Sequence, residues 1–260
     1  MDIQPIDEGR VEPAVASLGF DWHYRARTES TNADVLRHHQ RHRREVVAFA
    51  ETQSAGRGRR GRDWISPPGN ICCSIGIYKS LPASRQGLLS VITGMALCRA
   101  LRQHCGIELS LKWPNDLLYR RRKLGGILIE SRSLEDGHFF FAIGFGLNVF
   151  LNDAALGTIG QPVASLHQVS MELDRSGLLI ACMENVIGSI RNFEIEQEAD
   201  LPREFQTFDA FHDQPVEIRF AGQTRRGINR GIDTIGQLRL ETAGGIELHA
   251  AAEISLREAG

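Results

Sequence analysis

The chain has 260 residues, 30 lysines and arginines against 32 aspartates and glutamates, and a formal net charge of -2. That balance excludes a protein that binds polyanions over its whole surface, and 42% hydrophobic residues without an internal repeat exclude a disordered chain or a solenoid. The N-terminal MDIQPIDEGR is acidic where a signal peptide is basic and then apolar, and no apolar run approaches the ~20 residues of a membrane span. A cytoplasmic protein with no membrane partner is expected, its length suiting one large domain and one small one.

In chain order, residues 31 to 43 read as a short helix and EVVAFAET (45–52) as a strand. The stretch SAGRGRRGRDWISPPGN (54–70) follows, with four arginines and three glycines between Gly56 and Arg62. Its glycines and prolines make it a long loop. ICCSIGIY (71–78) is the next strand. From Ser84 to His104 the apolar stripe Leu88, Ile92, Met95, Ala96 and Ala100 predicts an amphipathic helix. Strands are expected at 109–113, 124–131 and 138–149, the first two separated by the charged turn RRRK, which together make a mixed, largely antiparallel sheet. A second long helix, about 176 to 193, buries Leu179, Cys182, Val186, Ile190 and Phe193 and covers that sheet. Beyond residue 212, four or five short strands punctuated by glycines suggest a small β-barrel.

The five cysteines, Cys72, Cys73, Cys98, Cys105 and Cys182, include no C-x-x-C pair and read as reduced structural thiols. HHQRH (38–42) places His38 and His42 on one helical face, but the flanking arginines would repel a metal cation, so a solvated basic face is expected. The arginine loop admits two readings: a solvated or RNA-contacting run, or a phosphate site. Its place between two core strands, with glycines that free successive backbone N–H groups, favours a small phosphorylated ligand. In KWPND (112–116) the bland expectation is a surface turn with a Lys112–Asp116 ion pair. A tryptophan, a lysine, an amide and a carboxylate at a strand end would equally furnish a site. In the same way STN (30–32) is expected to cap the helix it precedes.

Taken jointly, ESTN, TQSAGRGRRGRDWISPPGN, LKWPNDLLYRRRKLGGILIE, GFGLNV and a terminal RGID with EISLR resemble the biotin protein ligase family, from about Thr28 to Arg257. One departure is Ala251 and Ala252, where the resemblance calls for glycines. The resemblance implies an α+β fold: a mixed sheet with helices like that of class II aminoacyl-tRNA synthetases, plus a C-terminal SH3-like β-barrel. It places an N-terminal extension at 1–27, the catalytic domain at 28–211 and the small domain at 212–260. It further implies a two-step reaction in which biotin and ATP, with Mg2+, give biotinyl-5'-AMP, and a lysine of the biotin carboxyl carrier protein of acetyl-CoA carboxylase then takes the biotin. No specific DNA binding is expected, because too few residues precede Ser30 for a winged helix; a homodimer is left open. A lipoate or octanoate ligase would share the fold, and the pair GRGRRG and KWPND argues for biotin.

By the resemblance, Ser30, Thr31, Asn32 and Gln53 read the biotin head group, and Arg57, Gly58, Arg59 and Lys123 lie along the biotin carboxylate and the α-phosphate. Gly56 and Trp64 lie near the adenylate, Asn115 and Asn148 at the adenine, and Lys112 and Arg257 toward ATP. Lys123, Arg59 and Asp116 are the expected catalytic residues, Asp116 as the base that takes the proton of the acceptor lysine. Four arginines that repel one another when empty would let the loop order only around an anion.

Overall fold

The computed structural model describes residues 4–135, 138–151, 153–169, 173–194, 199–220, 223–250 and 255–258. Its core is a seven-stranded sheet in the order β1-β2-β3-β7-β6-β5-β4. The strands are β1 (Asp21–Thr28), β2 (Val46–Gln53), β3 (Ile71–Ser80), β4 (Ser110–Lys112), β5 (Asp116–Tyr119), β6 (Arg122–Ser133) and β7 (His138–Leu147). Only β1 and β2 run parallel, joined by the crossover helix α2 (Thr31–His42); the other pairings are antiparallel.

Alternation along the strands divides the sheet into two unlike faces. Phe141, Ile143, Phe145 and Leu147 of β7 join the main core with α3 (Gly87–Cys105) and α5 (Arg175–Asn192). The intervening Phe140 and Ala142 meet Val35 and Leu36 of α2 on the opposite face. Further along, that second face turns to Gly144 and Gly146, where no helix can rest on a side chain and an open floor remains. The helix ends follow local chemistry: α3 stops at Gly106 in the left-handed region, with φ 65°, and α2 at Arg43, with φ 54°.

Several elements lie outside the sequence expectations. The helix α1 (Glu8–Ser17) buries Val11 and Val15, and β1, where the N-terminal extension is expected, forms an edge of the sheet. Trp22 and Tyr24 of β1 both stack near Phe49, with ring centroids 6.4 and 6.2 Å apart. The turn expected between two strands holds β5, four residues long, and closes on itself through a two-residue hairpin at Arg120–Arg121. A strand that short carries too little alternation to be read against KWPND and RRRK. HHQRH is not a solvated face throughout: His38 Nε2 stands 3.0 Å from Asp21, and His39 is buried, stacked on Phe140 with centroids 4.0 Å apart.

After α4 (Asp153–Thr158) and α6 (Leu201–Gln206) come β8 (Pro215–Phe220), β9 (Gln223–Ile232), β10 (Leu238–Thr242), β11 (Gly245–His249) and β12 (Ser255–Glu258). They form an antiparallel sheet in the order β11-β10-β9-β8-β12. The expected barrel is not closed: among the described residues β11 and β12, of five and four residues, each pair on one side only. Ala251 and Ala252 lie outside the described residues. The segment leading into this sheet runs along the β4 edge of the main sheet. Leu111 N donates to Phe208 O at 2.7 Å and Ala210 N to Leu111 O at 2.8 Å, which covers an otherwise open strand edge. Trp113 is buried and donates Nε1–H to Gly236 O at 3.0 Å. The tryptophan of KWPND is therefore a tie between the two sheets and furnishes no wall of a site.

The five cysteines are unpaired and at least partly buried. Burial pushes the Cys72 thiol up to about 11 and the Cys98 thiol up to about 12, so both stay protonated.

Candidate active site

The glycine floor is built from three neighbouring strands. Ser74, Gly144 and Leu128 lie in one cross-strand row, and Cys72, Gly146 and Gly126 in the next row but one. The two rows are about 7 Å apart at ~3.4 Å per residue. Over them opens a cavity of about 560 Å³, a size suited to a bound small molecule.

The first row carries a polar cluster. Ser30 is the N-cap of α2 by position, but its side chain makes no capping bond, and it lines the cavity instead. The helix end is satisfied from β2: Thr31 N–H donates to Gln53 Oε1 at 2.9 Å, and Thr31 Oγ1 lies 3.2 Å from the same oxygen. Gln53 Nε2 donates to Ser66 Oγ at 3.1 Å. Ser74 Oγ lies 2.7 Å from both Thr31 Oγ1 and Asn32 Oδ1. Asn32 Nδ2 donates to Glu130 Oε2 at 2.8 Å and to Leu128 O at 3.3 Å. A Cβ at position 144 would collide with Asn32 Oδ1, so glycine there is what lets the cluster sit on the sheet.

The second row carries the cationic cluster. The arginine loop folds back on itself: Trp64 N donates to Gly56 O at 2.9 Å and Gly58 N to Arg62 O at 2.7 Å. At its tip Arg60 and Gly61 have φ 60° and 70°. This lays Trp64 flat on Gly146, where a Cβ would stand 2.5 Å from the indole ring. Gly56 permits the return, since a Cβ there would be 2.6 Å from Trp64 O. Lys123 Nζ stands 5.6 Å from the Trp64 ring centroid, in cation–π range, and 2.7 Å from Asp116 Oδ1. Lys123 and Asp116 are both largely buried, with side-chain exposures of 14% and 13%.

From the loop, Arg59 Nη1 donates to Asn115 Oδ1 at 3.3 Å, while Asn115 Nδ2 is tied to Ile127 O at 2.9 Å. Burial holds the Arg59 guanidinium below the usual arginine range; Asp116 opposes this shift, and Arg62 and Arg60 add to it. The Arg59 guanidinium is half-buried beside other arginines, a setting that suits an anion.

The fold thus brings most of the expected residues to one cavity. Ser30, Thr31, Asn32 and Gln53 line it at the first row; Arg57, Gly58, Arg59 and Trp64 line it from the loop; Asn115, Lys123 and Asn148 complete it. Asn148 also braces the wall, its Nδ2 donating to Ala164 O at 3.3 Å. Four residues stand elsewhere. Gly56 borders an adjoining groove. Asp116 is outside the cavity lining and reaches it through Lys123. Lys112 is likewise outside the lining, directly across the β4–β5 ladder from Asp116. Arg257 pairs opposite Glu217 in the small sheet, and its side chain lies outside the described residues.

Sequence reading passed over Ser74, Glu130 and the glycines of the floor. The signal for the last was present in GFGLNV, two glycines at strand spacing, which mark a face approached closely by something else. Ser74 and Glu130 carry no such signal, because a polar residue on a strand says nothing of what lies above it.

A glycine-floored sheet with a hydrogen-bonding end and a cationic end suits a small molecule with a polar head and an anionic group. Residues 24–148 match the biotin/lipoate A/B protein ligase family, and residues 211–257 match the biotin protein ligase C terminal domain. The bifunctional ligase/repressor BirA of Salmonella typhimurium is 35% identical over 89% of this chain and 72% of its own length. The biotin--[acetyl-CoA-carboxylase] ligase of Paracoccus denitrificans is 31% identical over 88% of this chain and 98% of its own. Among solved structures, a biotin protein ligase from Aquifex aeolicus in complex with biotin and ATP superposes with a TM-score of 0.76, covering 92% of this chain and 99% of that one; at 21% identity it attests the fold. The chain belongs to the biotin protein ligase family.

Proposed function

We infer that this protein activates biotin with ATP to biotinyl-5'-AMP and transfers the biotin to a lysine of the biotin carboxyl carrier protein of acetyl-CoA carboxylase. The observation that carries this reading is the pairing of the two clusters on one floor, about 7 Å apart along β7. A ureido ring has one carbonyl and two N–H groups, and Ser30, Thr31 and Gln53 offer it hydroxyl and carboxamide partners. A carboxylate extending from that ring reaches the second row, where Arg57, Arg59 and Lys123 supply fixed positive charge.

The first step brings a carboxylate oxygen onto the α-phosphate of ATP while pyrophosphate leaves. Its barrier is dominated by the repulsion of anions, which fixed cations lower without reorganising. Trp64, laid against Gly146 at the second row, would shield the mixed anhydride from water. In the second step the acceptor amine attacks the anhydride carbonyl, AMP leaves, and the amine's proton must go to a base. Asp116 is the carboxylate we assign to this role, and as the partner of Lys123 it also orients that ammonium. Asn115 and Asn148, which line the cavity, are taken as nucleotide contacts, and Lys112 and Arg257 are assigned to ATP by the resemblance alone. We take 28–211 as the catalytic domain and 212–260 as the small one.

Mg2+ fits as an ion carried by the nucleotide. Among the described residues no three His, Cys, Asp or Glu side chains gather to hold a metal, and Mg2+ takes many of its ligands from phosphate and water. Asp63, exposed at the cavity rim, is the carboxylate that would share it. Bound there with ATP, the ion would offset phosphate charge. No helix among the described residues is long and apolar enough to cross a membrane.

A lipoate or octanoate acceptor would bring an apolar chain to the first row and leave its polar groups unpaired, at a cost of about 1–3 kcal/mol each. The test is acid-dependent exchange of pyrophosphate into ATP with biotin, lipoate and octanoate in parallel. Exchange with biotin and not with the others is expected; exchange with lipoate alone would overturn the reading.

A further inference from the structure

Counting the protons of the first row shows that its polarity is fixed. Glu130 Oε2 and Leu128 O can only accept, so the amide nitrogen of Asn32 faces them and its Oδ1 faces Ser74. Oδ1 is itself an acceptor, so the single Ser74 hydroxyl proton goes to Asn32. The 2.7 Å contact between Ser74 Oγ and Thr31 Oγ1 then requires the Thr31 hydroxyl to donate to Ser74. Thr31 has no second proton for Gln53 Oε1, which receives the Thr31 backbone N–H alone. Lone pairs on Thr31 Oγ1 and Gln53 Oε1 are left to face the cavity that both residues line.

We propose that Ser74, with Asn32 and Glu130 behind it, is a positioning residue that sets the Thr31 hydroxyl as a hydrogen-bond acceptor and so makes the site demand N–H groups on its acid substrate. Glu130 is the terminus of the relay: an acceptor-only group from which every donor direction follows. Ser74 is fully buried on the sheet floor, and Asn32 is seated on Gly144, where the missing Cβ makes room for its carboxamide. A hydroxyl free to turn either way would donate to a ring oxygen nearly as well as it accepts from an N–H. One whose proton is already committed would not.

The inference rests on the biotin reading, and the experiment separates the two. Biotin binding without ATP is measured by calorimetry on the full chain, for biotin and for its carbamate analogues, in which a ring oxygen replaces one ureido N–H. Failure of the unmodified protein to bind biotin at all overturns the biotin reading and the inference with it. If biotin binds, Ser74→Ala is expected to weaken it roughly tenfold, the loss of about one hydrogen bond, and to narrow the preference for biotin over the carbamate analogues. Because Ser74 acts through Thr31, the double variant Ser74→Ala/Thr31→Val should bind no worse than Thr31→Val alone. Glu130→Leu should repeat the loss of preference, and Glu130→Gln, which keeps an acceptor oxygen, should show less of it; this pair decides the matter if Ser74→Ala does not fold. Additive effects of Ser74 and Thr31, or an unchanged preference in Ser74→Ala and Glu130→Leu, would overturn the proposal while leaving the biotin reading intact.

Discussion

Replacing Lys123 by methionine separates what that residue does for the fold from what it does for the reaction. Lys123 is not a loop residue: it lies in β6, its N–H donates to Pro162 O at 3.1 Å, and its carbonyl accepts from Ala164 N at 2.9 Å. Its ammonium stands 2.7 Å from Asp116 with both side chains largely buried. Taking away one partner of such a pair leaves a buried charge without compensation and costs about 3–5 kcal/mol. For a chain of this size each kcal/mol lowers the melting temperature by about 2–4 °C, so Lys123→Met should melt roughly 6–20 °C below the unmodified protein. Adding Asp116→Asn removes the orphaned charge, and the double variant should recover most of that loss. Biotin-dependent pyrophosphate exchange should not recover; it should stay about 10²–10³-fold down in both variants, because the fixed cation at the reacting phosphate is still missing. Calorimetric melting and exchange rates are measured on the three proteins together. Exchange restored in the double variant, or a Lys123→Met protein that melts with the parent, would refute the reasoning. Asp116→Asn alone adds a further division: as a counter-ion its loss slows both half-reactions, whereas as a base it slows transfer from preformed adenylate more, with a defect that shrinks as pH rises.

Gly146→Ala should displace Trp64 from the sheet floor, since the new methyl would stand 2.5 Å from the indole; adenylate made by this variant is expected to leak and hydrolyse before transfer, measured as biotin-dependent AMP release without carrier. Hydrogen exchange over residues 54–66 should slow when biotinyl-adenylate binds, and Arg59→Ala, which loses the bond to Asn115, should blunt that protection; equal protection with and without ligand would mean a rigid cradle instead of a closing loop. Burial, with Arg43 and His38 adding to it, holds His39 below its ordinary 6.5. The unfolded chain therefore takes up this proton first, and stability should fall as pH drops below about 6.5. His39→Phe should flatten that slope, and an unchanged melting profile between pH 7 and 5 would remove His39 as its cause.

Much of this protein was legible before any coordinates. Hydrophobic spacing identified α3 and α5, and β-branched and aromatic runs identified β2, β3, β6 and β7, because those elements bury a continuous face whose period survives in the sequence. The arginine and glycine content of residues 56–62 marked a loop that lines the cavity, since charge and backbone freedom belong to the residues themselves. What sequence could not settle were relations between distant residues. Trp113 and Lys123 both sit in the motif-bearing segment, yet Trp113 ties down the second sheet while Lys123 faces the cavity. Lys112 and Lys123 are equally basic, and strand register alone chose which of them reaches the floor. Ser74 and Glu130 became part of the site only when β3, β7 and β6 aligned and α2 brought Asn32 down onto Gly144. Periodicity and composition are properties of neighbours along the chain, whereas a hydrogen bond between Ser74 and Asn32, 42 residues apart, exists only once packing has brought them together.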